Sequence, residues 1–295
     1  MKPAPFKYVA PSSLEQALEI MSEHGTEAKL LAGGQSLIPV MNFRLAYPSL
    51  IVDLNRVTEL GRLQAPDNGE LRVGAMVRQQ QLEHDPIVAQ RAPLVHETMP
   101  HVAHSQIRNR GTLGGSLAHA DPAAELPVIM VTLGARFHLR KKGGERWVDA
   151  ESFYQSLFTT ALEPEEILDE IWIPPMPRHG GWAFLEFARR HGDYAQAGVA
   201  AIIDLDDGGL CRGARLVFLN VGEIPMAADR AVTALIGHAP SAALIAEVAQ
   251  EAARNEIEPV GDIHATAEYK RHLAAVLAER AMRQAVARAR EGWGL

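Results

Sequence analysis

The 295-residue chain has a single cysteine, Cys211. A disulfide within the chain is therefore impossible, and so is an all-cysteine zinc or iron–sulfur site built from this polypeptide alone. Any iron–sulfur cluster that works with it belongs to another subunit. A run of about 18 apolar residues is also missing, which removes an ordinary transmembrane helix. The N-terminal MKPAPFKYVAPSS lacks the apolar centre of a secretory signal, so the chain is expected in the cytoplasm. Basic excess is absent: 29 Lys and Arg stand against 36 Asp and Glu, the net charge is −7, and aromatics make up 6%. Neither a field for gripping a phosphate backbone nor a base-stacking platform follows from that, so nucleic acid is not an expected partner. What remains is apolar bulk. With 47% hydrophobic residues the chain can bury a sizeable core, and its length suits roughly two domains.

The pattern of elements is readable in outline. Ser12 followed by Glu15 forms a capping-box pattern, Leu14, Ala17, Leu18 and Met21 recur at helical spacing, and Gly25 suits a terminator. Ala28 to Ala32 reads as a short buried strand, residues 36–44 as a helix with Pro39 in its first turn, and SLIVDL (49–54) as a second strand. Strand, glycine turn, helix, strand make a βαβ unit with parallel strands. Segments 71–76 and 135–140 read as strands, and KKGGER (141–146) as a hairpin turn. PPMPRHGG (174–181) is the best linker, and a domain boundary is expected there. Beyond it come three strands, with DDGG as a hairpin turn, and two helices following Ser241 and Thr266. Leu273, Val276 and Leu277 of the last helix are expected to face inward.

Two glycine loops carry the chemistry. AGGQSL (32–37) holds Gly33 and Gly34 at the start of a helix, with Ser36 as a hydroxyl donor; RGTLGGSLAHADP (110–122) holds Gly111, Gly114 and Gly115, flanked by Thr112 and Ser116. Neither has the G-x-G-x-x-G spacing or the G-K-[ST] ending of the common nucleotide motifs. A helix N-terminus offers unpaired N–H groups and partial positive charge, and glycine allows close approach of backbone to ligand. Singly, each loop reads first as a tight turn. Together, about 80 residues apart, they suit a long anionic ligand held from two sides, such as a dinucleotide.

The stretches KLLAGGQSLIPVMNFR, HSQIRNRGTLGGSLAHADPAAELP, LEPEEILDEIWIP and ARRHGDYAQAGVAAI resemble, in order and over nearly the whole chain, the FAD-binding medium subunit of the molybdenum hydroxylases. This group contains bacterial carbon monoxide dehydrogenase and quinoline 2-oxidoreductase, with xanthine dehydrogenase as a fused relative. The resemblance implies an α+β fold. A two-lobed FAD-binding region of the vanillyl-alcohol-oxidase (PCMH) type spans 1–177, with lobes of about 1–56 and 57–177, and a small α+β C-terminal domain with a short antiparallel sheet and helices spans 178–295. It implies noncovalent FAD held by Lys29, Leu30, Leu31, Ala32, Gly33, Gly34, Gln35, Ser36 and Leu37 from the first loop, and by Gly111, Thr112, Gly114, Gly115 and Ser116 from the second. Val102 and Ala103 would line the pocket, Glu125 would meet the ribose and adenine end, Leu168 would give an apolar contact, and Tyr194 would lie by the isoalloxazine ring. It further implies a small [2Fe–2S] subunit and a large molybdenum–pterin subunit as partners, in a dimer of heterotrimers. The chain would then be an electron-transfer subunit of a hydroxylase, its holoenzyme substrate leaning toward an aromatic N-heterocycle.

One position departs from the pattern: related subunits often carry lysine where this chain has Glu186, and a carboxylate there would disfavour negative charge on a reduced ring. Asp121 reads as a cap for a helix beginning near Pro122. His101, His104 and His119 include an H-x-x-H pair, but no carboxylate or cysteine completes a ligand set, so local hydrogen bonds are the preferred reading and no metal is expected. Ser36 and Ser116 lack the G-x-S-x-G setting of a hydrolytic nucleophile, and Cys211 reads as a structural thiol. Two other function classes stay open on the residues alone: a self-contained flavin oxidoreductase acting directly on a small substrate, and a nucleotide-binding module without redox turnover.

Overall fold

Ser13, rather than Ser12, starts the first helix. The computed structural model describes residues 2–292, and in it a parallel sheet is formed by β1 (Lys7–Val9), β2 (Ala28–Leu31) and β3 (Leu50–Asp53) in the order β1-β3-β2. Against it packs α1 (Leu14–His24), whose N-terminus is capped by the Ser13 hydroxyl accepting from the Gln16 N–H at 3.2 Å. The Ser12 N–H and hydroxyl both donate to Gln16 Oε1 instead. Ser12 is thus engaged in holding the side chain one turn ahead, and the cap falls to its neighbour. Leu14, Ala17, Leu18 and Met21 form the buried stripe and Gly25, at φ 48°, ends the helix. The βαβ unit is present: β2 and β3 are joined through α2 (Leu37–Asn42). That helix is shorter than 36–44, because the chain turns out of helical geometry at Arg44, φ 59°. Pro39 sits in its first turn, where a missing N–H costs nothing.

The second sheet is antiparallel and contains β4 (Leu63–Gln64), β5 (Leu71–Gly74), β6 (Arg136–Lys141), β7 (Gly144–Asp149) and β8 (Ile167–Ile173), ordered β4-β5-β8-β6-β7. Helices α3 (Leu113–His119) and α4 (Glu125–Leu133) belong with it. Every residue of α4 is buried, so it is an interior helix without a solvent face. The helix starts at Glu125 rather than near Pro122. Asp121 caps no helix; its carboxylate accepts from the Ala123 N–H at 2.9 Å and closes a turn ahead of it.

The third sheet, β9 (Gly180–Phe187), β10 (Ala197–Leu205), β11 (Cys211–Leu219) and β12 (Met226–Ala227), is antiparallel in that order. Side chains alternate across it. Trp182, Phe184, Ala200, Ile202 and Val217 join one core with α4 and the second sheet, whereas Ala183, Val199, Ala201 and Ile203 join another under α5 (Ala242–Asn255) and α6 (Ala267–Glu291). Leu273 and Leu277 of α6 are buried there, but Val276 is only half-buried, at the edge of the stripe. Cys211 is buried in β11, and burial raises its thiol pKa, so it packs as an apolar residue.

Candidate functional site

The first glycine loop is a row of free donors. Among the described residues, the N–H groups of Gly33, Gly34, Gln35, Ser36 and Leu37 donate to no backbone or side-chain acceptor in the chain. The carbonyls are pinned the other way: Ala32 O accepts from Asn55 Nδ2 and Gly33 O from Gln35 Nε2, each at 3.0 Å. Gly34 adopts φ +74°, which turns successive N–H groups outward as in an anion-binding nest. Lys29 lies exposed on β2, with Leu30 and Leu31 half-buried behind the loop.

The second loop has its donors in use. The N–H of Gly111 donates to Ile107 O, that of Leu113 to Val77 O, that of Gly114 to Ala75 O, that of Gly115 to Thr112 Oγ1 at 3.1 Å and that of Ser116 to Thr112 O. The expectation that Gly114 and Gly115 present free amides to a ligand is therefore corrected. The Leu113 and Gly114 bonds fasten α3 to the chain just after β5, the Gly115 bond caps α3, and what the segment can offer a ligand is hydroxyl. Ser116 Oγ donates to nothing among the described residues, and Thr112 Oγ1, used as an acceptor, keeps its proton.

The two loops are in contact. A Cβ on Gly33 would sit 2.4 Å from Arg110 O and 2.8 Å from Gly111 Cα, and one on Gly115 would sit 3.3 Å from Ala32 Cβ. Arg78 fastens the junction: its guanidinium donates to Asn55 Oδ1 at 2.5 Å and to Arg110 O. Burial and the neighbouring Arg110 cation lower the Arg78 pKa, and hydrogen bonds from Tyr8 and Asn55, with a smaller contribution from Arg110, hold Asp53 below the usual carboxylate range against the burial that raises it. The Arg78 guanidinium thus lies at the junction of the loops, with the Arg110 cation near enough to act on it. Sequence reading missed Asn55, Arg78 and Arg110; the signal available was the basic run at Arg108 and Arg110, next to the second loop.

A third segment, residues 102–104, is held by Arg108 and covered by the GDYA stretch. Ala103 takes φ 46°, and Arg108, paired through both its Nε and Nη2 with Glu83 at 2.7 and 2.8 Å, donates to Val102 O at 2.9 Å and Ala103 O at 3.3 Å. Gly192 of the GDYA stretch packs on that turn, with a Cβ there falling 2.3 Å from the His104 ring and 2.9 Å from Ala103 O. Tyr194 is 72% exposed, with its ring free at the surface. Its hydroxyl pKa is raised, by burial of its polar end and by the carboxyls of Asp121 and Glu125.

Those carboxyls matter for Glu125. At 7% exposure and with no salt-bridge partner among the described residues, Glu125 has its pKa pushed up to about 8 by burial, by Glu186 and by Asp121. Glu186 lies on the β9 face shared with Phe184; its Oε1 is 3.3 Å from His101 Nδ1, and its buried Oε2 has no partner. His101 also packs edge-on against Phe184. Glu125 and Tyr194 lie close enough for the carboxyl to act on the phenol. Leu168 is 5% exposed in β8 and belongs to the core with Leu113 and Leu117, so it backs the second loop more than it faces solvent. His119, its pKa lowered by burial, lies 5.2 Å from the Phe158 ring, on a different neighbour from His101.

Comparison with known proteins decides the family. The family described as "FAD binding domain in molybdopterin dehydrogenase" matches residues 4–176, and "CO dehydrogenase flavoprotein C-terminal domain" matches residues 182–285. The chain belongs to the FAD-binding medium subunits of the molybdenum hydroxylases. Among relatives of this family, the chain is 40% identical to the alpha subunit of the 6-hydroxypseudooxynicotine dehydrogenase complex of Paenarthrobacter nicotinovorans, over 98% of this chain and 97% of that one. It is 40% identical to the beta subunit of caffeine dehydrogenase from Pseudomonas sp. strain CBB1, with the same coverage of each. Among solved structures, quinoline 2-oxidoreductase from Pseudomonas putida 86 superposes with a TM-score of 0.92 at 40% identity, and carbon monoxide dehydrogenase from Hydrogenophaga pseudoflava with 0.94 at 36%; each covers 98% of this chain and 99% of that one. The medium subunit is an oxidoreductase subunit with FAD as its cofactor, and none of its described helices is long and apolar enough to cross a membrane.

Proposed function

We propose that this chain is the electron-transfer subunit of a molybdenum hydroxylase, accepting electrons from [2Fe–2S] clusters on a small partner subunit and delivering them to an external acceptor. The observation that carries the reading is the row of unengaged amides from Gly33 to Leu37, set against the second loop and beside Arg78 and Arg110. That arrangement fits a pyrophosphate: donors in a curved row, a backbone-to-backbone approach that leaves no room for a Cβ, and positive charge close by. The holding residues are Ala32 to Leu37 with Lys29 to Leu31 behind them, the hydroxyls of Thr112 and Ser116, and the surfaces of Gly111, Gly114 and Gly115. Val102 and Ala103 line the pocket, Glu125 meets the ribose and adenine end, Leu168 supplies an apolar contact and Tyr194 lies by the isoalloxazine ring. Bound FAD supplies the capacity to take electrons one at a time and give them up in pairs. The protein's part is to anchor the dinucleotide, leave one edge accessible beside the exposed Tyr194, and set the charge around it through Glu125 and Glu186. Residues 1–177 do the holding, and residues 178–295 close the ring end with β9 and the GDYA loop.

The lone cysteine is consistent with clusters held elsewhere, in a small iron–sulfur subunit, with substrate oxidation in a large molybdenum–pterin subunit and the three assembling as a dimer of heterotrimers in the cytoplasm. The caffeine, quinoline and 6-hydroxypseudooxynicotine named for its relatives favour an N-heterocyclic substrate for the holoenzyme. The purified chain should be yellow, with one noncovalent FAD released on denaturation, and should oxidise no heteroaromatic compound until both partner subunits are added. Substrate-driven bleaching of the isolated chain would instead make it a self-contained flavin oxidoreductase. A colourless chain that cannot be reconstituted with FAD would overturn both.

A further inference from the structure

The loop bearing Tyr194 is fastened by a polar relay that begins far along the chain. Asn220, just past β11, takes the left-handed conformation at φ 56°, which asparagine tolerates better than most side chains. Its side-chain amide donates to Ala195 O at 2.6 Å, one residue beyond Tyr194, while its backbone N–H donates to Pro122 O at 3.1 Å, in the turn leading to Glu125. One residue thereby ties together the two segments that carry Tyr194 and Glu125. Asn220 is itself held. Lys270 Nζ lies 3.5 Å from both the Asn220 carbonyl and Oδ1, and 2.8 Å from Asp262 Oδ2. The Oδ1 atom of Asp262 is fixed by the N–H groups of His264 and Ala265, and the Lys270 ammonium holds the Asp262 carboxyl down at about 2.

Lys270 is an expensive residue for its place. It is 3% exposed, and it sits in the first turn of α6, where the helix dipole disfavours a cation. A buried ion pair is weak as a stabilising device, since apolar side chains of similar volume often do as well. Its geometry is better suited to fixing the orientation of the Asn220 amide, whose two ends would otherwise be free to exchange.

We propose that Asn220 is a positioning residue for the flavin-facing Tyr194 loop, and that the buried Lys270–Asp262 pair orients it. The proposal rests on the reading above that Tyr194 lies at the ring end of bound FAD. Among the described residues the loop is held by Gly192 against His104, by the Gln196 N–H on Phe187 O at 2.7 Å, by Ala195 O on Asn220 and, within itself, by the Asp193 N–H on Arg190 O at 3.1 Å. The third is the only one of these that reaches the Glu125 turn, so removing it should free Tyr194 without unfolding either sheet.

The loop contains its own reporter, because Arg189 and Arg190 are exposed trypsin sites. In the full-length chain without FAD, Asn220→Asp, which keeps the shape and the φ but replaces the donor, and Lys270→Met should each speed cleavage after Arg189 or Arg190 by about five-fold, the effect of losing one net hydrogen bond on local opening. Thermal unfolding and the other cleavage products should change little. After FAD loading, the same variants should retain the cofactor but show an altered visible circular dichroism, which a purely structural contact would leave unmoved. Should Lys270→Met fail to fold, Asn220→Asp and Asn220→Gly decide the matter. Wild-type cleavage rates and a wild-type flavin signal in folded variants would overturn the proposal. Faster cleavage in a chain that never binds FAD would instead overturn the flavin reading while leaving the relay intact.

Discussion

AGGQSL and GTLGGS look interchangeable in sequence, yet in the fold one loop offers its amides and the other has used them. In the first, the positive φ of Gly34 and the backward pull of Asn55 and Gln35 on the carbonyls leave five N–H groups facing out. In the second, the glycines serve approach: Gly114 lies where a Cβ would be 2.4 Å from Ala75 Cβ, and Gly115 lies against Ala32. A pair of glycines therefore announces that something comes close to the backbone, but not whether it is a ligand or another strand. On the proposed reading, one half of the grip binds and the other braces.

The harshest way to break that arrangement is at the contact itself. Gly33→Val would drive a side chain into Arg110 O and Gly111 Cα, both backbone atoms with nowhere to go. The two loops would have to separate, at a cost of about 1–3 kcal/mol or more. Loss of FAD together with a lowered melting temperature is expected, measured as flavin content of the purified variant and by thermal unfolding. Normal values for both would mean that the loops do not bear on each other.

A second intervention tests the far end of the bracing half, where α3 leads into the turn before Glu125. Its carboxyl titrates at about 8 in the folded chain, well above the usual carboxylate value of about 4.3. Between those values the folded state holds a proton that the unfolded state has released. Stability therefore falls as pH rises through this window, and the penalty is complete above the folded value. Glu125→Gln carries no such penalty. In FAD-free protein the variant should match the wild type near pH 4 and exceed it at pH 9 by a few kcal/mol at most, read as melting temperature against pH. Parallel curves would show that Glu125 ionises freely.

Much of this was legible from the residues and some was not. The βαβ unit, the third sheet and the helices after Ser241 and Thr266 follow from periodicity and caps, because each is specified within a few neighbouring positions. Helix starts slipped where two candidates compete locally, as Ser12 and Ser13 do for Gln16, and where Asp121 closes a turn that looks like a cap. The site was legible as a pair of loops but not as a geometry. Arg78 reaches Asn55 and Arg110 across 23 and 32 positions, and Glu186 meets His101 across 85, distances over which no local pattern carries information. The spent amides of Leu113 and Gly114 depend on Ala75 and Val77, just after β5, and no motif within the loop reveals them.

The finest test compares two mild substitutions, one in each half. Gly34→Ala meets only the ends of Ile38 and Leu31, at 3.2 and 3.3 Å, so the strain comes chiefly from φ +74°, about 1 kcal/mol or somewhat more. If the loop relaxes to relieve it, the row of amides loses its curve, and FAD affinity should fall about ten-fold, equivalent to about 1.4 kcal/mol. Thr112→Val removes the acceptor for the Gly115 N–H and uncaps α3, which should cost about 1 kcal/mol of stability. Yet it leaves the donors of the first loop untouched, so FAD affinity should drop by less than in Gly34→Ala. Titrating each folded apo-variant with FAD, with melting curves in parallel, separates affinity from stability. The opposite ranking, with Thr112→Val losing the cofactor and Gly34→Ala keeping it, would assign the binding role to the hydroxyls of the second loop and reduce the first to a turn.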